Sequence, residues 1–163
     1  MTLEKSMKIA VLALLAACSQ PAPLPLQAAA CTYETPLVAG VPGSPGHLVV
    51  TETNPNGQSE LALLMRGMQA DLRAVKGALE AGQPVPALTA PHGRIRCAWP
   101  TTPSDRTATY DAFAQAYLAR LPALEAPGAG VAEYNAALDG CVACHQQSCP
   151  GPLAAIQALR LAP

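Results

Sequence analysis

The sequence predicts an all-α fold with three long helices, a proline-rich irregular segment and a short C-terminal helix. Apolar residues recur every three or four positions in three separate stretches, which is the period of an amphipathic helix. No stretch of useful length alternates apolar and polar residues as a half-buried strand does. Prolines and glycines lie between the helical stretches, where they end helices.

The N-terminal residues 1–17 have the pattern of a secretory signal peptide, which is not part of the fold. Its apolar run, Ile9 to Ala17, is too short to cross a membrane, because a spanning helix needs about 20 residues. The run ends in LAAC at Cys18, which resembles the lipobox of bacterial lipoproteins. This resemblance implies cleavage before Cys18 and a lipid on its thiol. It also favours anchoring in the outer membrane. In such lipoproteins an aspartate after the lipidated cysteine is the signal for retention in the inner membrane, and this chain has Ser19 there. The alternative is an ordinary signal peptide with an incidental cysteine.

Composition divides the remaining chain into a tether and one domain. Residues 18–30 are rich in proline and alanine and carry no charge, so we expect a lipidated tether there. Residues 31–163 suit a single domain. The formal net charge of −1 provides no basic surface, so we expect no nucleic-acid partner. The domain has few aromatic residues, and a large apolar cofactor would help to fill its core.

The first long helix is predicted after an irregular region, residues 31–57, which is rich in proline, glycine, asparagine and threonine. It lies in QSELALLMRGMQADLRAVKGALE, and Gly82 and Pro84 end it. Its apolar stripe consists of Leu61, Leu64, Met65, Met68, Leu72, Val75 and Leu79. One apolar face of this kind predicts a helix that packs on a core.

Two further long helices are predicted after residues 83–103, whose five prolines exclude a long helix. The second helix starts near Ser104, a good N-cap residue, and its stripe contains Tyr110, Phe113, Ala114, Tyr117, Leu118 and Leu121. The third starts near Val131 and ends before Pro150. Its buried face contains Val131, Tyr134, Leu138, Cys141, Val142 and His145. A short last helix is expected around Ile156.

The strongest chemical signal is CVACH, residues 141–145, on the third helix. A redox CxxC pair is expected at a helix start in a βαβ setting, which this chain lacks. Zinc needs four ligands, and only Cys149 is close enough in sequence to add one. The third interpretation is covalent haem attachment, with thioethers on Cys141 and Cys144 and His145 as the proximal iron ligand. Cys141 and His145 are four residues apart, so they share the buried helix face.

A CxxCH motif near the C-terminus, on the last long helix, resembles the class II cytochromes c of the cytochrome c-prime type. The stretches NPNGQSELALLMRGM and YNAALDGCVACHQQSCPGPLAAIQAL are also similar to small bacterial lipoprotein cytochromes. The resemblance covers most of residues 54–161 and implies a haem-binding helical bundle. The chain departs from the class at residues 83–103, where the proline-rich segment replaces the second bundle helix. We therefore expect three long helices and an irregular fourth wall.

The second axial ligand decides between electron transfer and ligand binding, because a haem with one protein ligand binds gases or peroxide. The resemblance points to a methionine of the first helix, either Met65 or Met68. Met65 is preferred because it is nearer the helix start, although a methionine on an apolar stripe is often only core. His92 in PHGRIR is the rival, and His47 is a weaker candidate. An open distal site is the remaining alternative.

Besides Cys18 and the two cysteines of the CVACH motif, the chain has three more cysteines. An oxidising compartment favours one disulfide among Cys31, Cys97 and Cys149. Cys31 and Cys97 both lie in irregular segments that a bridge would tie down, so we expect this pair, with Cys149 as the alternative partner.

The expected function is that of a periplasm-facing, membrane-tethered monohaem c-type cytochrome that carries single electrons and is not an enzyme. The first alternative is a gas-binding or sensing haem protein with an open distal site. A haem peroxidase is a remoter one, since only His92 is placed to act as its acid–base residue. The sequence does not identify the redox partner.

Overall fold

The computed structural model describes residues 31–162. Its elements are β1 (Val49–Thr51), β2 (Asn54–Gln58), α1 (Glu60–Glu80), α2 (Thr89–His92), α3 (Ala108–Leu118), α4 (Leu121–Glu125), α5 (Val131–Ser148) and α6 (Leu153–Gln157). Short 3-10 turns cover Gly93–Arg96 and Pro103–Asp105. The expected signal peptide, the lipid site at Cys18 and the tether at residues 18–30 lie outside the described residues.

The predicted all-α class is wrong, because β1 and β2 pair as a small antiparallel sheet. Val49 lies opposite Gln58, and Thr51 lies opposite Asn54. The β2 sequence, NPNGQ, consists of turn-forming residues and has no apolar alternation, so its pattern gives no strand signal. Pairing with β1 holds these residues in a strand that they do not favour on their own. The fold is therefore mixed, with mainly helical structure beside a two-stranded hairpin.

The predicted set of three long helices is also wrong. Helices α1 and α5 have 21 and 18 residues, but α3 has only 11. The second predicted helix is divided into α3 and α4, and Pro122 lies in the first turn of α4. Proline has no N–H to donate to the preceding turn, so a continuous helix would lose a hydrogen bond there. Helix α3 also starts after Ser104, with Thr107 as its side-chain cap.

Helix α1 forms one side of the core. The Ser59 hydroxyl caps its start by accepting a hydrogen bond from the Ala62 N–H at 3.2 Å. Met68, Leu72 and Val75 are its buried residues, each one turn from the next. Across residues 31–162, no helix has both the length and the apolar character that crossing a membrane requires.

Helix α5 packs most closely on α3 and α6. A Cβ atom at Gly140 would lie 3.3 Å from the Tyr117 Cα, so the absence of a side chain there allows α5 to approach the α3 backbone. The buried Tyr134 hydroxyl bonds to the carbonyl oxygens of Leu72 and Leu159, each at 3.1 Å. These contacts fix α5 between α1, α3 and α6.

The proline-rich segment is an ordered wall on α3. The Arg96 guanidinium forms a two-pronged ion pair with Asp111, with Nε to Oδ1 at 2.7 Å and Nη2 to Oδ2 at 2.9 Å. This pair holds the pKa of the Asp111 carboxyl below its usual range. A disulfide between Cys31 and Cys97, whose Cα atoms are 5.5 Å apart, joins the start of the described chain to the same wall.

We predict that Cys31→Ser lowers the free energy of unfolding by about 4 kcal/mol, because the bridge closes a long loop in the unfolded chain. The half-buried position of Cys31 keeps packing changes small. Equilibrium unfolding in urea measures the effect. Cys149→Ser is the matched control, since its thiol is exposed and outside any disulfide, and it should change stability little. Equal loss in both variants, or a mapped peptide linking Cys149 to another cysteine, would contradict this pairing.

Candidate functional site

The CVACH motif lies in the last two turns of α5. Cys144 is buried, whereas Cys141 and His145 are half-buried. Burial raises the pKa of the Cys141 thiol to about 12 and also raises the pKa of Cys144. Both thiols are therefore protonated at neutral pH, which disfavours the thiolate chemistry of a redox CxxC pair. Neither thiol is in a disulfide.

The end of α5 fixes the tautomer of His145. Its Nδ1 lies 2.8 Å from the carbonyl oxygen of Cys149. A carbonyl only accepts hydrogen bonds, so Nδ1 carries the hydrogen, and in the neutral imidazole the lone pair is on Nε2. The Cys149 N–H in turn donates to the His145 carbonyl at 3.2 Å, and the Cys149 backbone, which precedes Pro150, has left the helical conformation. Metal-ligating histidines have this arrangement, with one ring nitrogen bound to a backbone oxygen and the other available.

Three adjoining cavities form a cleft between α1 and α5. One of about 210 Å³ opens towards α3, one of about 350 Å³ opens towards α6, and one of about 30 Å³ lies between α1, α3 and α5. His145 and Met65 line all three cavities. Cys144 borders the first, Cys141 borders the second, and both border the third. We call this region the α1–α5 cleft.

The structure brings both candidate methionines to the α1–α5 cleft. Met65 is half-buried and borders the same cavities as His145. Met68, one turn further along α1, is 5% exposed and borders two of them. Among residues 31–162, no three His, Cys, Asp or Glu side chains are grouped so as to hold a metal ion.

Both candidate histidines lie away from the α1–α5 cleft. His92 is fully buried, and each of its ring nitrogens already has a partner. Its Nδ1 is 2.7 Å from the Tyr117 hydroxyl, and its Nε2 is 3.0 Å from Asp71 Oδ2. His47 is exposed, in the turn before β1. Neither His92 nor His47 lines any of the three cavities.

The sequence did not indicate that Arg106 borders the cleft, nor that Asp71, His92 and Tyr117 are in contact. Arg106 borders the 210 Å³ cavity, while its Nη2 donates to the carbonyl oxygens of Thr32, Tyr33, Thr35 and Arg96. Asp71, His92 and Tyr117 belong to three different helices, so no spacing along the chain relates them. The contacts of His92 with Tyr117 and Asp71 arise only when the helices pack together.

We predict that Gly140→Ala destabilises the protein by about 1–3 kcal/mol, because the new methyl group would press on the Tyr117 backbone. Thermal and urea unfolding measure the loss. Gly77→Ala is the matched control, since Gly77 is also inside a helix but has open space around its Cβ direction. The control should gain about 0.5–1 kcal/mol from helix propensity. A neutral Gly140→Ala would show that α5 and α3 are further apart than described.

Comparison with known proteins adds no family assignment. No protein-family model matches the chain, and neither a curated protein nor a solved structure does.

Proposed function

We propose that this chain is a monohaem c-type cytochrome that transfers single electrons, with haem attached to Cys141 and Cys144 and His145 as the proximal ligand. The observation that carries the proposal is the His145 side chain, whose Nδ1–H is bound to the Cys149 carbonyl. This bond leaves the Nε2 lone pair available beside two thiols at the α1–α5 cleft. The motif and the tautomer are independent features, and both suit iron ligation.

The residues of the cleft fit a haem. Cys144 borders the 210 Å³ cavity, Cys141 borders the 350 Å³ cavity, and His145 borders both, while all three side chains line the 30 Å³ cavity between them. The walls on either side include Leu61, Ala98, Leu72, Leu138, Ile156 and Leu159. Such apolar walls keep water from the cofactor and so tune its potential. When bound, haem supplies the one-electron redox couple.

Met65 is the residue that we assign as second axial ligand. It lines every cavity that His145 lines, whereas Met68 is more deeply buried and borders only two. A Met65 thioether bound to the iron would fill the coordination position that an external gas needs. The assignment therefore favours an electron carrier over a gas sensor or a peroxidase.

We place the protein on the periplasmic side of a membrane, tethered through lipid on Cys18, with the outer membrane favoured. The signal and lipobox patterns of the sequence support this placement. The disulfide between Cys31 and Cys97 also suits an oxidising compartment. The expected partners are redox proteins, and the formal net charge of −1 does not suit a nucleic acid.

We predict that the mature protein exceeds its polypeptide mass by one haem, which acid–acetone does not extract. Cys141→Ala and Cys144→Ala should each remove one thioether and reduce haem retention under denaturing conditions. Cys149→Ala is the control and should keep the full covalent haem, because the hydrogen bonds of Cys149 to His145 are made by its backbone N–H and carbonyl, which the substitution retains. Intact-mass spectrometry measures all four proteins. Extractable haem, or tetrahedral zinc in its place, would overturn the proposal.

We predict that Met65→Ala abolishes the near-infrared sulfur-to-iron charge-transfer band of the oxidised protein and lowers its reduction potential. Met68→Ala, one turn away on the same helix, is the matched control and should keep the band. Carbon monoxide should bind slowly to the reduced wild-type protein and rapidly to Met65→Ala. Immediate binding to the wild type, with a high-spin spectrum beforehand, would instead identify an open distal site and a gas-binding protein.

A further inference from the structure

Three buried or half-buried tyrosines differ in the acceptor that their hydroxyl group meets. Tyr110 donates to the Ile95 carbonyl at 2.6 Å. Tyr134 hydrogen-bonds to two carbonyls, those of Leu72 and Leu159. Tyr117 instead lies 2.7 Å from a ring nitrogen of His92. A carbonyl oxygen does not take a proton at neutral pH, whereas an imidazole nitrogen does. Among these three, only Tyr117 has a base at its hydroxyl.

The hydrogen bonds fix the direction of this contact. His92 Nε2 lies 3.0 Å from Asp71 Oδ2, and an ionised carboxylate only accepts, so Nε2 carries the hydrogen. In the neutral imidazole Nδ1 then has the lone pair and accepts the Tyr117 O–H. His92 is 0% exposed and Tyr117 is 2% exposed, so water does not compete for the phenolic proton. The Asp71 side chain, in contrast, is 47% exposed and connects the pair to the surface.

We propose that Tyr117 is a redox-active residue that gives up one electron to a strong one-electron oxidant while its phenolic proton moves to His92. The Tyr117 O–H bond breaks, an Nδ1–H bond forms on His92, and the electron passes to the oxidant. The products are a neutral tyrosyl radical and an imidazolium whose charge Asp71 balances. Return of one electron sends the proton back to the phenol.

The surroundings require the electron and proton to move together. Loss of an electron alone would leave a cation in a buried, apolar place, which is costly. Loss of the proton first is also unfavourable, because burial raises the pKa of Tyr117. The Tyr117 and His92 rings are stacked, with centroids 5.9 Å apart and planes 21° apart, so the two groups are held in register. Transfer along the existing hydrogen bond avoids both charged states of the phenol.

Tyr117 lies at the α1–α5 cleft, where an oxidant in the cleft can take its electron. Tyr117 lines the 30 Å³ cavity together with Cys141 and Cys144, so it forms part of the inner wall of the α1–α5 cleft. An oxidising equivalent that arises in the cleft is within reach of the Tyr117 ring, which then supplies the electron. The inference does not rest on the proposed function, because it needs only an oxidant and the three side chains.

The test uses the full chain in its oxidised form with photogenerated tris(bipyridine)ruthenium(III) and persulfate. Freeze-quenched samples are examined by electron paramagnetic resonance, with ring-deuterated tyrosine to identify a tyrosyl radical. Tyr117→Phe should reduce the radical yield about tenfold or more, because the phenol is gone. His92→Gln should slow formation of the radical about 100-fold, because the base that takes the phenolic proton is gone. Tyr134→Phe is the matched control, because its buried hydroxyl meets only carbonyls, and it should keep the wild-type yield.

Asp71→Asn tests the same proposal without disturbing the core, because Asp71 is partly exposed. Asparagine still accepts the Nε2–H, but it does not balance the imidazolium charge, so we expect the yield to fall about tenfold. Circular dichroism establishes that each variant is folded. If Tyr117→Phe does not fold, Asp71→Asn decides, and an unchanged yield overturns the proposal. Absence of a wild-type radical, its persistence in Tyr117→Phe, or equal loss in Tyr134→Phe also overturns it.

Discussion

The contacts of Tyr117 connect four helices, and the geometry of the cleft depends on them. Its backbone and ring lie against Gly140 of α5, and its hydroxyl is bound to His92 at the end of α2. His92 in turn reaches Asp71 on α1. One side chain therefore sets the separation of α5 from α3 and links both to α1. A larger residue at position 140 or the loss of the hydroxyl would act on all of these contacts, because buried packing and buried polar networks are both intolerant of partial changes.

The hydrogen bonds among Tyr117, His92 and Asp71 also separate the polar part of the interior from the apolar part. The hydrogen bonds of His92 satisfy both of its ring nitrogens, so no unpaired imidazole nitrogen is left in the core. The α1–α5 cleft keeps mainly apolar walls, and its potential ligating groups are His145 and the sulfurs of Met65, Met68, Cys149 and the CVACH motif. His145 differs from His92 in having one nitrogen bound to a carbonyl and the other without a protein partner among the described residues. This difference, not the presence of a histidine, distinguishes the candidate iron ligand from His92.

Periodicity and spacing could predict the parts of the molecule that are local along the chain. The stripe that contains Met65 and Met68 lies on one continuous helix, and the five residues of CVACH lie on another. The hairpin could not be predicted because NPNGQ has no strand pattern, and the second helix ends earlier than predicted because Pro122 starts a separate helix. His92 was expected in a loop beside the cofactor, but it is buried between α1 and α3. Nothing in PHGRIR records that Asp71 and Tyr117 are its neighbours, since these lie 21 and 25 residues away along the chain.

Charged side chains fix the backbone of the irregular wall, residues 83–103. Glu125 accepts hydrogen bonds from the N–H groups of Leu88 and Thr89, at 2.6 and 2.5 Å, and Arg96 is paired with Asp111. A proline-rich segment lacks the repeating hydrogen bonds of a helix, so partners from α3 and α4 must satisfy its polar groups one by one. Ala98, held next to the disulfide at Cys97, lines the 210 Å³ cavity. The shape of the cleft on the α3 side therefore depends on ion pairs and a disulfide that lie outside it, and a change at Asp111 or Cys97 would reach the site through the wall.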